Sequence, residues 1–275
     1  MLSYQHHYHV GNHADVLKHW ILLECVRYLQ RKNKPFEYID SHAGAGLYDL
    51  DDDKTQKLKE FESGFSKLLA EAPEQFKSFI DVILPFWQAR QYPGSPALVD
   101  SQMRESDRSW LFELHPQTFA ELEKHCARHK RVFVRKQSGF EGLLSLLPSQ
   151  LKRALILIDP AYEINSDYQT VVDVIAKGYQ TMPSATFLLW YPVVNRDTID
   201  ALEQRFVNTN VRNVQQFELN ICADTEAKGM TGSGMIVINP PYTLAQLANE
   251  NLPLLTSILK EDTGANFKVR EIIPE

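Results

Sequence analysis

Asp159 stands at the end of an apolar run, Ala154 to Ile158, and is followed by Pro160-Ala161-Tyr162. An exocyclic amine on a nucleobase needs acceptors for its two N–H groups and an aromatic face to hold the ring. The carboxylate of Asp159, the carbonyl of Pro160 and the ring of Tyr162 can supply them. When such an amine attacks an electrophilic methyl group, positive charge grows on nitrogen. A nearby carboxylate stabilises that charge and can take the proton. The plain alternative is a strand that ends in a proline turn.

Other segments offer binding rather than bond-making chemistry. Phe36 to Asp40 is strand-like and runs into Ser41-His42-Ala43-Gly44-Ala45-Gly46, whose glycines permit a tight turn and close approach of a ligand to the backbone. Trp110 to Glu113 is a second strand, and an acidic residue at its end can accept both hydroxyls of a ribose. A third, Val132 to Arg135, leads to Gln137-Ser138-Gly139-Phe140, where a cofactor adenine can lie. Neither GxGxxG nor GxxxxGK[ST] occurs, which favours a nucleoside such as S-adenosylmethionine over a nucleotide pyrophosphate. His9 and His13 have the i, i+4 spacing of helical metal ligands, but Gly11-Asn12 lies between them and no further ligands complete a site, so no metal is expected.

These residues need a scaffold that gathers strand ends. Residues 12–32 have helical apolar spacing, with Asn12 placed to cap. Further strands are expected at Ala154 to Asp159 and Thr186 to Tyr191, with helices near 117–129, 139–147 and 167–180 between the strands. Strand alternating with helix implies right-handed crossovers and a parallel sheet. Residues 214–222 and 234–239 are strand-like with no helix between them, so they predict a terminal antiparallel hairpin. The expected fold is a Rossmann-like α/β class I methyltransferase, a seven-stranded mostly parallel sheet with that hairpin. It occupies 1–275 as one domain, with a helical insertion at 50–92 broken by Pro73 and Pro85. In such sheets ligands bind outside the carboxyl ends of the parallel strands. The strand-end residues above therefore fall together. A second tetrapeptide, Asn239-Pro240-Pro241-Tyr242, matches in letters the Asn-Pro-Pro-Tyr signature of amino-group methyltransferases. It follows an antiparallel strand, which delivers it to the opposite edge.

Bulk properties narrow the classes. The chain has 275 residues and a net charge of −6, which argues against non-specific coating of nucleic acid by phosphate neutralisation. Two basic groups remain, Arg27 to Lys34 and Lys124 to Lys136, beside an acidic run from Asp49 to Asp53. Three separated cysteines form no disulfide framework, and there is neither a signal peptide nor an apolar stretch long enough to span a membrane, so a cytoplasmic location is expected.

The chain resembles the RlmJ family of bacterial 23S ribosomal RNA adenine-N6 methyltransferases, which older descriptions connect with DNA uptake or catabolism of external DNA. The resemblance runs from Met1-Leu2-Ser3-Tyr4 through Gly11 to His19, His42 to Gly46, Tyr92 to Pro96, Glu113 to Pro116, Leu155 to Pro160, Leu189 to Val194 and Gly234 to Pro241. It implies S-adenosyl-L-methionine as methyl donor and 23S ribosomal RNA, naked or in an early assembly intermediate, as partner. No obligate protein partner follows from it. By position it makes His19, His42, Ser95 and Glu113 cofactor contacts, Asp159 the catalytic acceptor and Tyr4 a substrate contact. Ser138-Gly139 replaces the family's Asp-Gly, and exchanging a charged for a neutral acceptor costs about 1 kcal/mol. Ala161 replaces a proline, which removes a ring that stiffens the loop but leaves both acceptors and Tyr162. Two other readings compete: a nucleic-acid-binding protein for DNA uptake with a degenerate site, and a metal-dependent nuclease using the N-terminal histidines.

Overall fold

The computed structural model describes residues 6–126, 129–164, 166–225 and 229–275. In chain order the strands are β1 (Glu37–Asp40), β2 (Leu47–Asp49), β3 (Gln91–Pro93), β4 (Arg108–Phe112), β5 (Val132–Arg135), β6 (Ala154–Ile158), β7 (Thr186–Val193), β8 (Val214–Asn220), β9 (Gly232–Ile238) and β10 (Asn266–Ile273). The main sheet has eight strands in the order β10-β8-β9-β7-β6-β1-β4-β5. β5, β4, β1, β6 and β7 are parallel, whereas β9, β8 and β10 join by antiparallel pairings. The parallel set and the hairpin agree with the sequence reading; the strand count does not. β10 adds an eighth, edge strand. Its Lys268, Arg270 and Glu271 interrupt the apolar alternation, as charges on an edge strand do.

The helices are α1 (His13–Gln30), α2 (Asp53–Leu58), α3 (Phe65–Glu71), α4 (Lys77–Gln88), α5 (Ser95–Asp100), α6 (Pro116–Cys126), α7 (Gly139–Ser145), α8 (Asp167–Thr181), α9 (Arg196–Val207) and α10 (Leu244–Leu259). Period-two side chains divide the core between the sheet's faces. Leu155, Leu157, Leu188 and Val237 pack with α1 and α10 on one face, and Ile156, Ile158, Phe187 and Leu189 pack with α8 and α9 on the other. α1 starts where Asn12 accepts from the backbone N–H groups of Ala14 and Asp15, at 2.9 and 3.0 Å. Its first two turns are buried, polar residues included, because the sheet, α5 and α10 enclose it. Between β2 and β3 run α2, α3 and α4. Pro73 precedes a short 3-10 turn, but Pro85 sits inside α4 and does not break it. Among the described residues, no helix is long and apolar enough to cross a membrane.

Candidate active site

The carboxyl ends of the parallel strands surround a cavity of about 430 Å³. That volume lies within the usual range of small-ligand pockets. Each wall belongs to a separate element. α1 contributes Lys18 and His19, the turn after β1 contributes Ser41 to Gly44, and the start of α5 contributes Gly94 and Ser95. Glu113 and Leu114 follow β4, Ser138 to Phe140 lead into α7, and Asp159 to Ala161 follow β6.

Asp159 is held by Lys18, whose Nζ lies 2.6 Å from Oδ2. The same ammonium stands 3.0 Å from Oδ1 of Asp15, one helical turn earlier. Asp15 is buried and also accepts from the backbone N–H of Gly11 at 2.8 Å, with His6 Nε2 2.9 Å away. Burial opposes the charge on Asp15, but His6, Lys18 and His19 outweigh it and hold its carboxyl well below the usual range. No described residue donates to Oδ1 of Asp159, so that oxygen is the one left to accept from a ligand.

The floor is built on Asp40. It accepts from the hydroxyls of Ser95 and Tyr38, at 2.6 and 2.7 Å, and from the backbone N–H of His42 at 3.3 Å. Burial, opposed by those donors and reinforced by Asp159, pushes its carboxyl up to about 6. Burial lowers His19 to about 3 and His42 to about 4, so both imidazoles are neutral near pH 7. His19 is stacked on Tyr92 with ring centres 5.7 Å apart. Glu113 accepts from the backbone N–H groups of Gly44 and His115, at 3.1 and 2.7 Å. Burial raises its carboxyl despite these bonds.

Glycine is required at two points. A Cβ on Gly139 would lie 1.7 Å from the carbonyl oxygen of Ser41, and Gly44 has φ +59°. Loop and turn backbones thus approach more closely than other side chains allow. The lining acids Glu113, Asp159, Glu163 and Asp167 outnumber Lys18, and two of the lining histidines are neutral. Such a cavity suits a ligand carrying positive charge, such as a sulfonium with an amino group, and repels a pyrophosphate. Glu113 at the end of β4, the glycine-lined walls and the acidic surround all fit S-adenosylmethionine.

The structure brings together His19, His42, Ser95, Glu113, Ser138, Gly139, Asp159 and Pro160. Ser95 spends its proton on Asp40, so it can offer a ligand only lone pairs or its main chain. Tyr162 is not in the cavity wall. Its hydroxyl donates to the carbonyl of Trp190 at 2.6 Å and its ring packs 4.4 Å from Tyr168. The residue has φ +50°, a left-handed turn that directs the ring away from the cleft. Tyr4 lies outside the described residues. The Lys18–Asp159 contact and the role of Asp15 did not emerge from strand ends. The signal was the i, i+3, i+4 set Asp15, Lys18, His19 on one helix face. His6 and His7, in a 3-10 turn, also line the cleft. His9 faces Glu60 at 3.0 Å, and among the described residues no group of three or more His, Cys, Asp or Glu is placed to hold a metal ion.

Asn239 lies elsewhere. Ile238 pairs with Phe187 at the start of β7, and Asn239 donates to the carbonyls of Pro183 and Ala185 at 2.7 and 2.8 Å. It therefore sits at the amino ends of the parallel strands, the edge away from Asp159.

Fold and cavity together define an S-adenosyl-L-methionine-dependent methyltransferase. The profile of the family described as "Ribosomal RNA large subunit methyltransferase D, RlmJ" matches residues 33–271. The chain is 41% identical over its whole length to the whole of "Ribosomal RNA large subunit methyltransferase J" of Escherichia coli (strain K12), and 37% identical, again over 100% of both chains, to the protein of that name from Haemophilus influenzae. Among solved structures, protein LPL1258 from Legionella pneumophila superposes with a TM-score of 0.86 at 32% identity, covering 95% of this chain and 97% of that one. The chain belongs to the ribosomal RNA large subunit methyltransferase J family and is a ribosomal RNA methyltransferase.

Proposed function

We propose that the protein methylates N6 of one adenine in 23S ribosomal RNA, naked or in an early assembly intermediate, in the cytoplasm. The observation that carries this reading is the Lys18–Asp159 pair in an acidic, glycine-walled cleft. When bound, S-adenosyl-L-methionine supplies an electrophilic methyl group on sulfur. Glu113 would accept from its ribose hydroxyls and Ser138 from its adenine amine. Gly139, His19, His42 and Ser95 would complete the wall around it.

Lys18 fixes Asp159 through Oδ2, which turns Oδ1 toward the target amine. That oxygen and the carbonyl of Pro160 each accept one N–H of the adenine, aiming the nitrogen lone pair at the methyl carbon. With the donor bound, the N–C bond would form as the C–S bond breaks, leaving the neutral thioether. Charge rising on nitrogen is stabilised by Asp159, and the departing proton passes to it or through it to water. Tyr4 is assigned to the substrate RNA by the family resemblance alone. In the observed conformation Tyr162 braces the loop, and stacking on the target base requires its ring to leave Tyr168. We read 1–275 as one methyltransferase domain and 50–92 as a helical insertion within it. A DNA-uptake protein with a degenerate site is not favoured, since Asp159, Lys18 and Glu113 are all in place and the full-length relatives are named methyltransferases.

The test is mass spectrometry of ribosomal RNA fragments after incubation with the protein and isotopically labelled S-adenosylmethionine. One N6-methyladenosine should appear with wild type and none with Asp159→Ala. A methyl group found on another atom would overturn the N6 assignment.

A further inference from the structure

The cations Arg27, Arg31, Lys32 and Lys34 lie at the foot of the sheet, opposite the cleft, and the fold adds partners from far along the chain. The segments 31–36, 101–107 and 149–153 all lead into amino ends of parallel strands. Arg104 donates to the carbonyls of Lys32 and Lys34 at 3.0 and 2.9 Å while pairing with buried Asp107. Arg153 donates to the carbonyl of Leu29 at 2.7 Å and to that of Lys34. Two guanidiniums thus meet over the main chain of Lys34. Burial, then the charge of Arg104, lowers Arg153 below the usual arginine range.

The acids here do not balance this charge. Arg27 is matched by Glu24 and Arg104 by Asp107. Among the described residues no carboxylate lies within ion-pair distance of Arg31, Lys32, Lys34, Lys152 or Arg153; Glu105 is the exposed acid of the neighbouring loop. Aromatic rings adjoin the cations. Tyr242, 78% exposed, rests edge-on against Tyr28 at 5.7 Å, and the guanidinium of Arg31 covers Tyr28 at 5.4 Å. Tyr242 belongs to the Asn239-Pro240-Pro241-Tyr242 segment that methyl transfer leaves unused. Unpaired cations beside an exposed, braced aromatic ring form a site for single-stranded nucleic acid: phosphates on the charges, a base on the ring.

We propose that this foot is a second RNA-binding surface. Arg31, Lys32, Lys34, Lys152 and Arg153 hold phosphates of a ribosomal RNA segment remote from the methylated nucleotide, and Tyr242 stacks on an unpaired base there. The proposal rests on ribosomal RNA being the substrate. The parallel strands separate the two surfaces by four to eight residues, at about 3.3 Å each. A short oligonucleotide seated on Asp159 therefore does not reach the foot, whereas a long folded RNA does.

The experiment compares wild type, the reversal Arg31→Glu/Lys32→Glu/Lys34→Glu and Tyr242→Ala, all at exposed positions. Each is assayed on a full-length 23S ribosomal RNA transcript and on a short transcript around the methylated nucleotide, with filter binding of the full-length RNA across salt concentrations. The reversal should raise KM for the long RNA about tenfold with kcat unchanged. It should also flatten the salt dependence of log Kd by about three, near one for each cation. Tyr242→Ala should raise KM about fivefold with the salt slope intact. Both variants should match wild type on the short transcript. Unchanged KM and slope on the long RNA would overturn the proposal. So would an equal loss on both transcripts, or intact RNA binding with loss of a co-purifying protein. If wild type methylates neither transcript, the substrate reading fails, and filter binding still decides the foot.

Discussion

Asp159-Pro160-Ala161-Tyr162 and Asn239-Pro240-Pro241-Tyr242 end strands separated only by β7, yet they leave the sheet at opposite edges. β6 is parallel to β7 and β9 is antiparallel to it, so similar letters meet different surroundings. At the carboxyl edge Asp159 joins Lys18 in an acidic cleft with perturbed carboxyl and imidazole groups. At the amino edge Asn239 fastens two carbonyls and its tyrosine faces water among unpaired cations. What a tetrapeptide does is thus set by the direction of the strand that carries it. One edge carries perturbed titratable groups and the other cations without carboxylate partners among the described residues.

The comparison breaks most sharply at Asp159. Asp159→Ala should lower kcat for methyl transfer to ribosomal RNA by about 10³-fold. Equal inactivation by Asn239→Ala would reverse the assignment of the two edges. Gly139→Ala should come next, destabilising by more than about 3 kcal/mol, because its Cβ would lie 1.7 Å from a backbone oxygen that cannot move as a side chain does. Calorimetry should show a lower Tm together with weaker cofactor binding. Lys18→Met should reduce kcat about 10²-fold with KM for RNA little changed, since the Asp159 carboxylate loses the group that aims it. A change confined to KM would make Lys18 an RNA contact.

Acid should expose the cleft's buried imidazoles. His19 and His42 hold folded values of about 3 and about 4 against an ordinary 6.5, so below pH 6.5 the unfolded chain takes up protons that the folded one refuses. Stability is lost as pH falls, by up to about 1.4 kcal/mol per unit for each group. Asp40 acts oppositely. Its value of about 6 against 3.8 contributes stability at low pH that disappears as pH rises through 6. Between pH 6 and 4 the histidines outweigh it, leaving a net loss of about 1 kcal/mol per unit of acidification. Denaturant unfolding of Asp40→Asn should show a steeper slope, and a flatter one would contradict this balance. The smallest effect belongs to the other edge. Asn239→Ala should leave turnover intact and cost about 2 kcal/mol, from two carbonyls losing their donor and from an alanine forced to φ +51°.

Much of the cleft was legible because strand-end residues are contiguous with apolar runs. Asp159 follows Ala154 to Ile158, and Glu113 follows Trp110 to Phe112. Where contacts are long-range, the text was mute. Lys18 reaches Asp159 across 141 positions. Tyr162 keeps the spacing of a stacking residue, yet a left-handed backbone turn sends its ring to Tyr168. β10 went unread because its charges break the apolar alternation. The basic group near 131–136 proved partly spent, with Arg131 paired to Asp100 at 2.7 Å.

The sequence by itself determined the strand and helix alternation, the terminal hairpin and the family, because periodicity and motif order are local and survive in one dimension. It also determined which edge each tetrapeptide occupies, since strand direction follows from the length of the connection. Only the tertiary structure decided which charges meet. Asp15, Lys18 and Asp159 converge because α1 packs against the sheet beside the end of β6, and Arg104 and Arg153 converge because separate loops share the foot. Coulomb energy depends on distance and burial, and neither is a property of position along the chain.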